Sequence, residues 1–230
     1  MKTDIYKINN SIDRINSNKS TLFLDRKELN LVKSKLKNKN YNIYYPYIDS
    51  EKVIIYTSNI PSVTLFKINS YNEITHPMIL GSILGLNISP SYLGDIIVDS
   101  NNYYFYVISD LKDYVKENLT FIGNNKITLE ELDIDYLSNY ERKYEENNII
   151  VSSLRIDTVI ARIIKTNRES VCDKIKNKEV ILNYEVLNKN TYLLKENDIF
   201  SIRKYGKYKF IEVVKTTKKD NIVIKYLKYI

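Results

Sequence analysis

The side chains best suited to bind a ligand are cationic, and they are concentrated towards the carboxyl end of the chain. Residues 150–230 contain 18 Lys and Arg against 9 Asp and Glu, a net charge of +9, whereas residues 1–149 contain 17 against 19, a net charge of −2. A small segment with so concentrated a positive charge is typical of proteins that bind polyanions. The alternative is a lysine-rich surface that only keeps the protein dissolved.

Several of these cations are predicted to lie on two helices. From Leu154 onward, apolar residues recur every three or four positions, which indicates a helix with an apolar stripe. Asn167 is suited to cap a second helix, because its side chain can accept a hydrogen bond from the first turn. Cys172 would pack in the core of the helix pair rather than act as a nucleophile. The cations on the outward sides of the two helices are Arg155, Arg162, Lys165, Arg168, Lys174 and Lys178.

Short strands separated by turn sequences are predicted to follow the helices. Five β-branched or apolar runs lie between Val180 and Val214, and the last two enclose a basic hairpin tip in which Gly206 permits an unusual backbone conformation. The cations at this tip are Arg203, Lys204, Lys207 and Lys209. We therefore expect two short helices laid on a small β-sheet, with these cations and Asn167 presented to the phosphates of structured RNA.

Several short motifs in this region resemble the S-four domain, a small RNA-binding fold named after ribosomal small-subunit protein four. They are Arg155-Ile-Asp157, Asn167-Arg168-Glu-Ser170, Val180-Ile-Leu-Asn183, Asn197-Asp198 and Ile202-Arg203. The family usually has Ser at the position of Asn167 and Gly at the positions of Lys178 and Asn197. Asn can cap a helix as Ser does and adopt the left-handed conformation as Gly does, whereas Lys178 departs from the pattern.

The middle of the chain is predicted to form a sheet with helices packed on it. The expected strands are Val63–Ile68, Leu93–Val98, Tyr103–Ile108 and a segment near Asn125–Leu129. With a helix after each odd-numbered strand, the order β-α-β-β-α-β is that of a ferredoxin-like or RNA-recognition-motif-like domain. RNA-recognition motifs stack bases on aromatic residues of their central strands, and Tyr104 and Tyr106 alternate on one face here. The usual Lys/Arg-Gly-Phe signature is missing, so a domain that serves only for packing is the alternative.

A longer motif within this region resembles the YlmH-type proteins. The stretch Thr75-His-Pro-Met-Ile-Leu-Gly-Ser-Ile-Leu-Gly-Leu-Asn-Ile-Ser-Pro-Ser-Tyr-Leu-Gly-Asp-Ile96 is similar to the family's His-Arg-Asp-(Phe/Leu)-Leu-Gly-Ala-Leu-Leu-Gly-Leu-Gly-Ile…Gly-Asp-Ile signature. Pro77 and Met78 stand where the family has Arg and Asp, and Pro90 stands where it has a basic residue.

This resemblance implies a protein that binds RNA and associates with the ribosome. Members of the family are encoded near bacterial cell-division genes, and they are implicated in handling stalled large subunits that still carry peptidyl-tRNA, a step of ribosome-associated quality control. The partners implied are rRNA, tRNA and the large ribosomal subunit, with no membrane and no cofactor.

Taken together, the patterns predict an α+β protein with three folded parts. Residues 1–60, with two helices and a hairpin, are expected to form an N-terminal α/β subdomain, followed by the RNA-recognition-motif-like domain at 61–131. An acidic, helical or flexible linker is expected at 132–150, the S-four domain at 151–215 and a tail at 216–230.

Other functional classes receive less support. One Cys and one His cannot form a disulfide framework or a Cys/His zinc site within the chain. No segment has the length of a signal-peptide core or a membrane span, so a cytoplasmic monomer without a metal is expected. An RNA-modifying enzyme and a cell-division scaffold stay open as alternatives. Asp95, Asp99 and His76 are candidate groups for catalysis, but a turn role for Asp95 and a helix-cap role for His76 are favoured, and no Gly-rich cofactor loop follows a strand.

Overall fold

The computed structural model describes residues 2–36 and 39–230, which form two compact units. The first unit comprises residues 1–141 and the second residues 142–230. Within the part of the chain that is described, no helix is long and apolar enough to cross a membrane. The predicted pieces 1–60 and 61–131 therefore belong to one compact unit, whereas the basic region lies in the other.

The first unit begins with two helices and a two-stranded hairpin. They are α1 (Lys2–Asn16), α2 (Arg26–Lys35), β1 (Asn42–Tyr44) and β2 (Ile54–Tyr56). Helix α2 starts at a capping box, in which the backbone N–H of Glu28 donates to Asp25 Oδ1 over 2.8 Å and the Asp25 N–H donates to Glu28 Oε2 over 2.9 Å. The apolar sides of both helices bury Ile15 and Val32 against Ile55 of the hairpin.

A five-stranded antiparallel sheet follows, with the predicted order of helices and strands. Its elements are β3 (Val63–Ser70), α3 (His76–Gly85), β4 (Leu93–Asp99), β5 (Asn102–Ile108), α4 (Lys112–Asn118), β6 (Phe121–Ile122) and β7 (Asn125–Leu132). The strands lie in the order β4-β5-β3-β7-β6, which places β3 at the centre. Apart from the additional two-residue strand β6, the order is β-α-β-β-α-β, which is that of a ferredoxin-like sheet. Thr75 is the N-cap residue of α3, so the favoured capping role of His76 was wrong by one position.

Both faces of this sheet are covered. Helices α3 and α4 pack on one face, around Phe66 and Phe105. The other face, which carries Tyr104 and Tyr106, is buried under Phe23, Tyr47 and the short 3-10 helix at Ile134–Leu137. The ring of Tyr106 is fully buried and stacks on Tyr47 with 6.1 Å between ring centroids. The two tyrosines therefore serve packing, and they are not exposed for stacking on RNA bases.

The Gly94-Asp95 pair explains how the N-terminal elements come so close to the sheet. A Cβ atom on Gly94 would lie 2.7 Å from Cβ of Tyr106 and 2.8 Å from Cζ of Phe23, so only glycine fits. The buried carboxylate of Asp95 accepts hydrogen bonds from the Tyr47 hydroxyl at 2.8 Å and from the Glu51 N–H at 2.7 Å. Asp95 thus fixes the β1–β2 connection from within strand β4, so the predicted turn position of Asp95 was wrong.

The second unit is a six-stranded antiparallel sheet with two helices on one face. Its elements are β8 (Tyr144–Val151), α5 (Ile156–Ile163), α6 (Arg168–Lys176), β9 (Val180–Leu182), β10 (Glu185–Val186), β11 (Ile199–Ile202), β12 (Gly206–Thr216) and β13 (Ile222–Tyr229). The strand order is β10-β9-β11-β12-β13-β8. The helices bury their apolar stripes, including Val159 and Ile160, against Phe200, Phe210 and Ile224 of the sheet.

Two of the predicted boundaries fail here because distant strands pair. Residues 144–150 were predicted as part of a helical or flexible linker, but they form most of β8. Residues 222–229 were predicted as part of a tail, but they form β13, which pairs with both β12 and β8. Ion pairs between β8 and β13 support this pairing, with 3.0 Å between Lys225 Nζ and Glu146 Oε1. The predicted strand at Thr191–Leu194 is reduced to a single bridge between Leu193 and Arg155.

Candidate nucleic-acid interface

A buried carboxylate organises the amino-terminal ends of α5 and α6. The side chain of Asp157 has no exposed surface, and its Oδ2 accepts hydrogen bonds from Nη2 of Arg155 at 2.7 Å and Nη2 of Arg168 at 3.0 Å. Nε of Arg155 and the hydroxyl of Thr158 donate to Oδ1, each over 3.2 Å. Burial alone would raise the pKa of Asp157, but the hydrogen bonds from Arg155 and Arg168 outweigh it and lower the pKa to about 2.

The two arginines keep part of their guanidinium groups at the surface. The side chain of Arg155 is 33% exposed and that of Arg168 is 54% exposed, even though both bind Asp157. Each can therefore donate a hydrogen bond to a phosphate while its hydrogen bond to Asp157 keeps it in place. Beside them, Asn167 caps α6 as predicted, because its Oδ1 accepts from the Ser170 N–H over 2.8 Å. Its role as an RNA ligand stays a prediction.

Lysine occupies the left-handed position after both helices. Lys165 follows α5 with a φ of 55°, and Lys178 follows α6 with a φ of 59°. In each case the next N–H reaches back into the last turn: Thr166 N–H donates to Ala161 O and Glu179 N–H donates to Lys174 O, both over 2.9 Å. This is the helix ending that usually has glycine. Lys178 thus takes the same turn that Gly takes in the S-four pattern, at a cost of roughly 1 kcal/mol.

The remaining helical cations lie at two further places. Arg162 and Lys165 line a groove between α5 and the end of β8 at residues 149–152. Lys174 lies at the other end of the unit, where its Nζ is 3.3 Å from Glu179 Oε2 and 5.2 Å from the ring centroid of Tyr205.

The hairpin between β11 and β12 approaches the carboxyl end of α6. The backbone N–H of Arg203 donates to the carbonyl of Glu179 over 2.9 Å, which places the tip beside Lys178. Arg203 and Lys204 are exposed at the tip, where Lys204 has a φ of 72°. The structure therefore brings together Lys174, Lys178, Arg203 and Lys204 from segments that are distant in the sequence.

Lys207 and Lys209 are not part of this group. Side chains alternate along a strand, and Tyr208 and Phe210 are buried on the face that the helices cover. Lys207 and Lys209 consequently point to the opposite, helix-free face. The expectation that all the cations of the hairpin belong to one tip was therefore wrong for these two residues.

The sequence interpretation also missed the aromatic residues on the helix-free face. Nζ of Lys207 lies 5.1 Å from the ring centroid of Tyr184 and 4.8 Å from that of Tyr229. Tyr229 in turn packs edge-on against Tyr144, with 5.0 Å between the ring centroids. No signal in the sequence identifies this group, because it depends on the pairing of β13 with β8.

Three known proteins or protein families are similar to this chain. A solved structure titled "Cell division protein ylmH from Streptococcus pneumoniae" shares the fold, with a TM-score of 0.50 at 20% identity over 60% of this chain and 94% of that chain. The family model described as "Putative RNA-binding domain in YlmH" matches residues 62–136. A Bacillus subtilis protein named "Ribosome-associated protein quality control protein P2" is 27% identical over 185 residues, which cover 76% of this chain and 72% of that protein. The chain is thus similar to YlmH-type proteins in sequence and in fold.

The region matched by the family model is acidic in this chain. Residues 62–136 contain four lysines and no arginine against ten Asp and Glu, a net charge of −6. Two positions that are basic in the YlmH-type signature are occupied here by Pro77 and Pro90. The excess of cations in this chain lies instead in residues 150–230, with a net charge of +9.

Proposed function

We propose that this chain is a non-enzymatic RNA-binding protein that holds structured ribosomal RNA through its second unit. The observation that carries the proposal is the arrangement of cations around α5, α6 and the β11–β12 hairpin tip. The residues are Arg155, Arg162, Lys165, Arg168, Lys174, Lys178, Arg203 and Lys204, next to the cap residue Asn167. Cations spread over the ends of helices and a hairpin suit the phosphates of a folded RNA, which proteins recognise mainly by shape and backbone.

The proposal extends to the ribosome. The Bacillus subtilis relative is named as a ribosome-associated quality control protein, and we infer that this chain binds the large subunit and acts in the rescue or quality control of stalled ribosomes. Its partners there are rRNA and peptidyl-tRNA. An arginine that is already oriented by Asp157 loses little freedom when it binds a phosphate, which favours a firm grip on such targets.

Reversing two exposed charges tests the proposed surface. Arg162→Glu combined with Lys204→Glu changes the charge by four units at residues that form no ion pair with the other described residues. We expect the variant to leave the large-subunit fractions of a sucrose gradient at a lower salt concentration than the unaltered chain, because fewer phosphate contacts remain. RNA crosslinked in the peak fraction identifies the binding site.

The matched control is Lys116→Glu combined with Lys126→Glu. It makes the same change in charge at two exposed lysines within residues 62–136. We expect this control to sediment like the unaltered chain. If the control no longer sedimented with the large subunit while the Arg162/Lys204 variant still did, the RNA-binding surface would lie in the first unit. That result would contradict the proposal.

A further inference from the structure

The helix-free face of the second unit's sheet carries a group of aromatic and cationic side chains that the proposed function does not use. We call Tyr144, Tyr184, Lys207, Lys209 and Tyr229 the tyrosine–lysine face. Strand pairing sets Tyr229 opposite Tyr144 and Leu227 opposite Lys209, which places these side chains on one surface. All five are partly exposed to solvent.

The rings are held in defined orientations. The ammonium of Lys207 lies between the rings of Tyr184 and Tyr229, at 5.1 and 4.8 Å from their centroids. Cation–π contacts of this kind restrict the rings without enclosing them. Tyr229 also packs against Tyr144, whose ring is inclined at 79° to it. The face thus presents aromatic surfaces that need little further ordering to receive a flat ligand.

Charge is unevenly distributed over the same face. Lys225, further along β13, is neutralised by Glu146 at 3.0 Å and Glu212 at 3.8 Å. Lys209 takes part in no ion pair with the other described residues, and it lies on the part of β12 that leads from the exposed cations of the hairpin tip. The positive charge is therefore concentrated beside Tyr184 and Tyr229, where a polyanion with flat groups would be complementary.

We propose that the tyrosine–lysine face binds single-stranded RNA. Unpaired bases stack on the rings of Tyr184 and Tyr229 while Lys209 and the hairpin tip contact the phosphates. Stacking of this type tolerates any base sequence, since every base has a π-face. The inference rests on the proposed function, and it adds a contact of different chemistry: the helix side holds folded RNA by its backbone, and the strand side holds unpaired nucleotides by their bases.

The test compares two RNA probes with the full chain. The variant Tyr184→Leu/Tyr229→Leu keeps apolar bulk but removes the rings, and Tyr6→Leu/Tyr71→Leu is the control at two exposed tyrosines of the first unit. We expect the site variant to bind a short oligouridylate roughly fivefold to a hundredfold more weakly by fluorescence anisotropy. Its affinity for a base-paired RNA hairpin, and both affinities of the control, should stay unchanged.

Photocrosslinking supplies a second measurement that requires no substitution. An oligouridylate that contains 4-thiouridine is irradiated with the unaltered chain, and the modified peptides are identified by mass spectrometry. We expect crosslinks at Tyr184 or Tyr229. Crosslinks confined to α5, α6 or the hairpin tip would overturn the inference, even if the double variant failed to fold.

The outcomes separate this inference from the proposed function. If the site variant binds the oligouridylate as the unaltered chain does, the inference fails while RNA binding stands. If Lys209→Glu weakens binding but the tyrosine variant does not, the face is only electrostatic and suits an acidic protein, which also overturns the inference. If the unaltered chain binds neither probe, both proposals fail.

Discussion

Asp157 is the residue on which the positions of Arg155 and Arg168 depend. It is fully buried, and it is charged because Arg155 and Arg168 donate to it. Removing one partner from such a buried group leaves the others unsatisfied, which is more costly than the pair itself is stabilising. The same carboxylate therefore affects both the stability of the fold and the direction in which the arginines point.

Replacing Asp157 by Asn should reveal this charge through its pH dependence. The pKa of Asp157 is lowered from 3.8 to about 2 in the folded chain, so its stabilisation is present above the unfolded value and is lost as the pH falls towards the folded one. We expect Asp157→Asn to lower the free energy of unfolding by about 2 kcal/mol at pH 7, and the difference to shrink between pH ~4 and ~2. Urea unfolding followed by circular dichroism measures it. The exposed Asp173→Asn is the control, and an equally large effect there would contradict the prediction.

Replacing Lys178 by Gly should separate stability from binding. Glycine adopts a φ of 59° without the steric cost that lysine bears, so we expect the free energy of unfolding to rise by about 1 kcal/mol. Affinity for RNA should fall, because one cation of the proposed surface is removed. Thermal unfolding and RNA titration measure the two effects.

Lys176→Gly provides the matched control for that change. It removes the same charge, but it places glycine in the last turn of α6, where glycine is unfavourable by roughly 0.5–1 kcal/mol. The two variants should therefore shift stability in opposite directions. A stabilising Lys176→Gly, or a destabilising Lys178→Gly, would be inconsistent with the left-handed turn.

Single residues were predictable from the sequence where the cause is local. The cap at Asn167 depends on neighbours within three positions, and it is confirmed; the capping box at Asp25 and Glu28 is equally local. The face of the sheet to which the Lys207 side chain points was also predictable, because charged and aromatic residues alternate in Lys-Tyr-Lys-Phe from 207 to 210, as they do in a strand. The hydrogen bond between Arg168 and Asp157 was not predictable from neighbouring residues, since it joins two helices.

Among the elements, β8 and β13 were the hardest to predict. The sequence Tyr144-Glu-Glu-Asn-Asn-Ile-Ile-Val151 lacks a regular alternation of apolar and polar residues, and it becomes a strand because β13 pairs along its whole length. In contrast, four strands of the five-stranded sheet, which are β3, β4, β5 and β7, were recognisable individually, whereas the two-residue β6 was not predicted. A strand that depends on a distant partner carries little signal of its own.

Substitution of Ile224 tests whether β13 is part of the core. Its side chain is fully buried against the helices, so we expect Ile224→Ala to lower the free energy of unfolding by about 2–4 kcal/mol. Neighbouring Val223 is only half-buried, and Val223→Ala should cost less than about 1 kcal/mol. Urea unfolding measures both. Equal and negligible effects would mean that residues 216–230 are the tail that the sequence predicted.

Over the whole molecule, the two units differ more clearly in net charge than in fold. Residues 62–136 are acidic and residues 150–230 are basic, which was visible in the sequence and locates the proposed RNA contacts. The covering of the five-stranded sheet by the N-terminal elements was not visible. It joins Phe23 to Gly94 and Tyr106, contacts that only the assembled fold creates.

The pairing of β8 with β13 has a consequence for biosynthesis. Tyr144 and Tyr229 are partners across the sheet, and the Ile230 N–H donates to the Lys143 carbonyl over 3.3 Å. The strand translated first in this unit must therefore wait for the strand translated last, a non-local closure that slows folding. A nascent copy that stalls before β13 lacks a complete sheet. A protein proposed to act on stalled ribosomes thus completes its own sheet, and with Tyr229 its tyrosine–lysine face, only when its translation proceeds through β13.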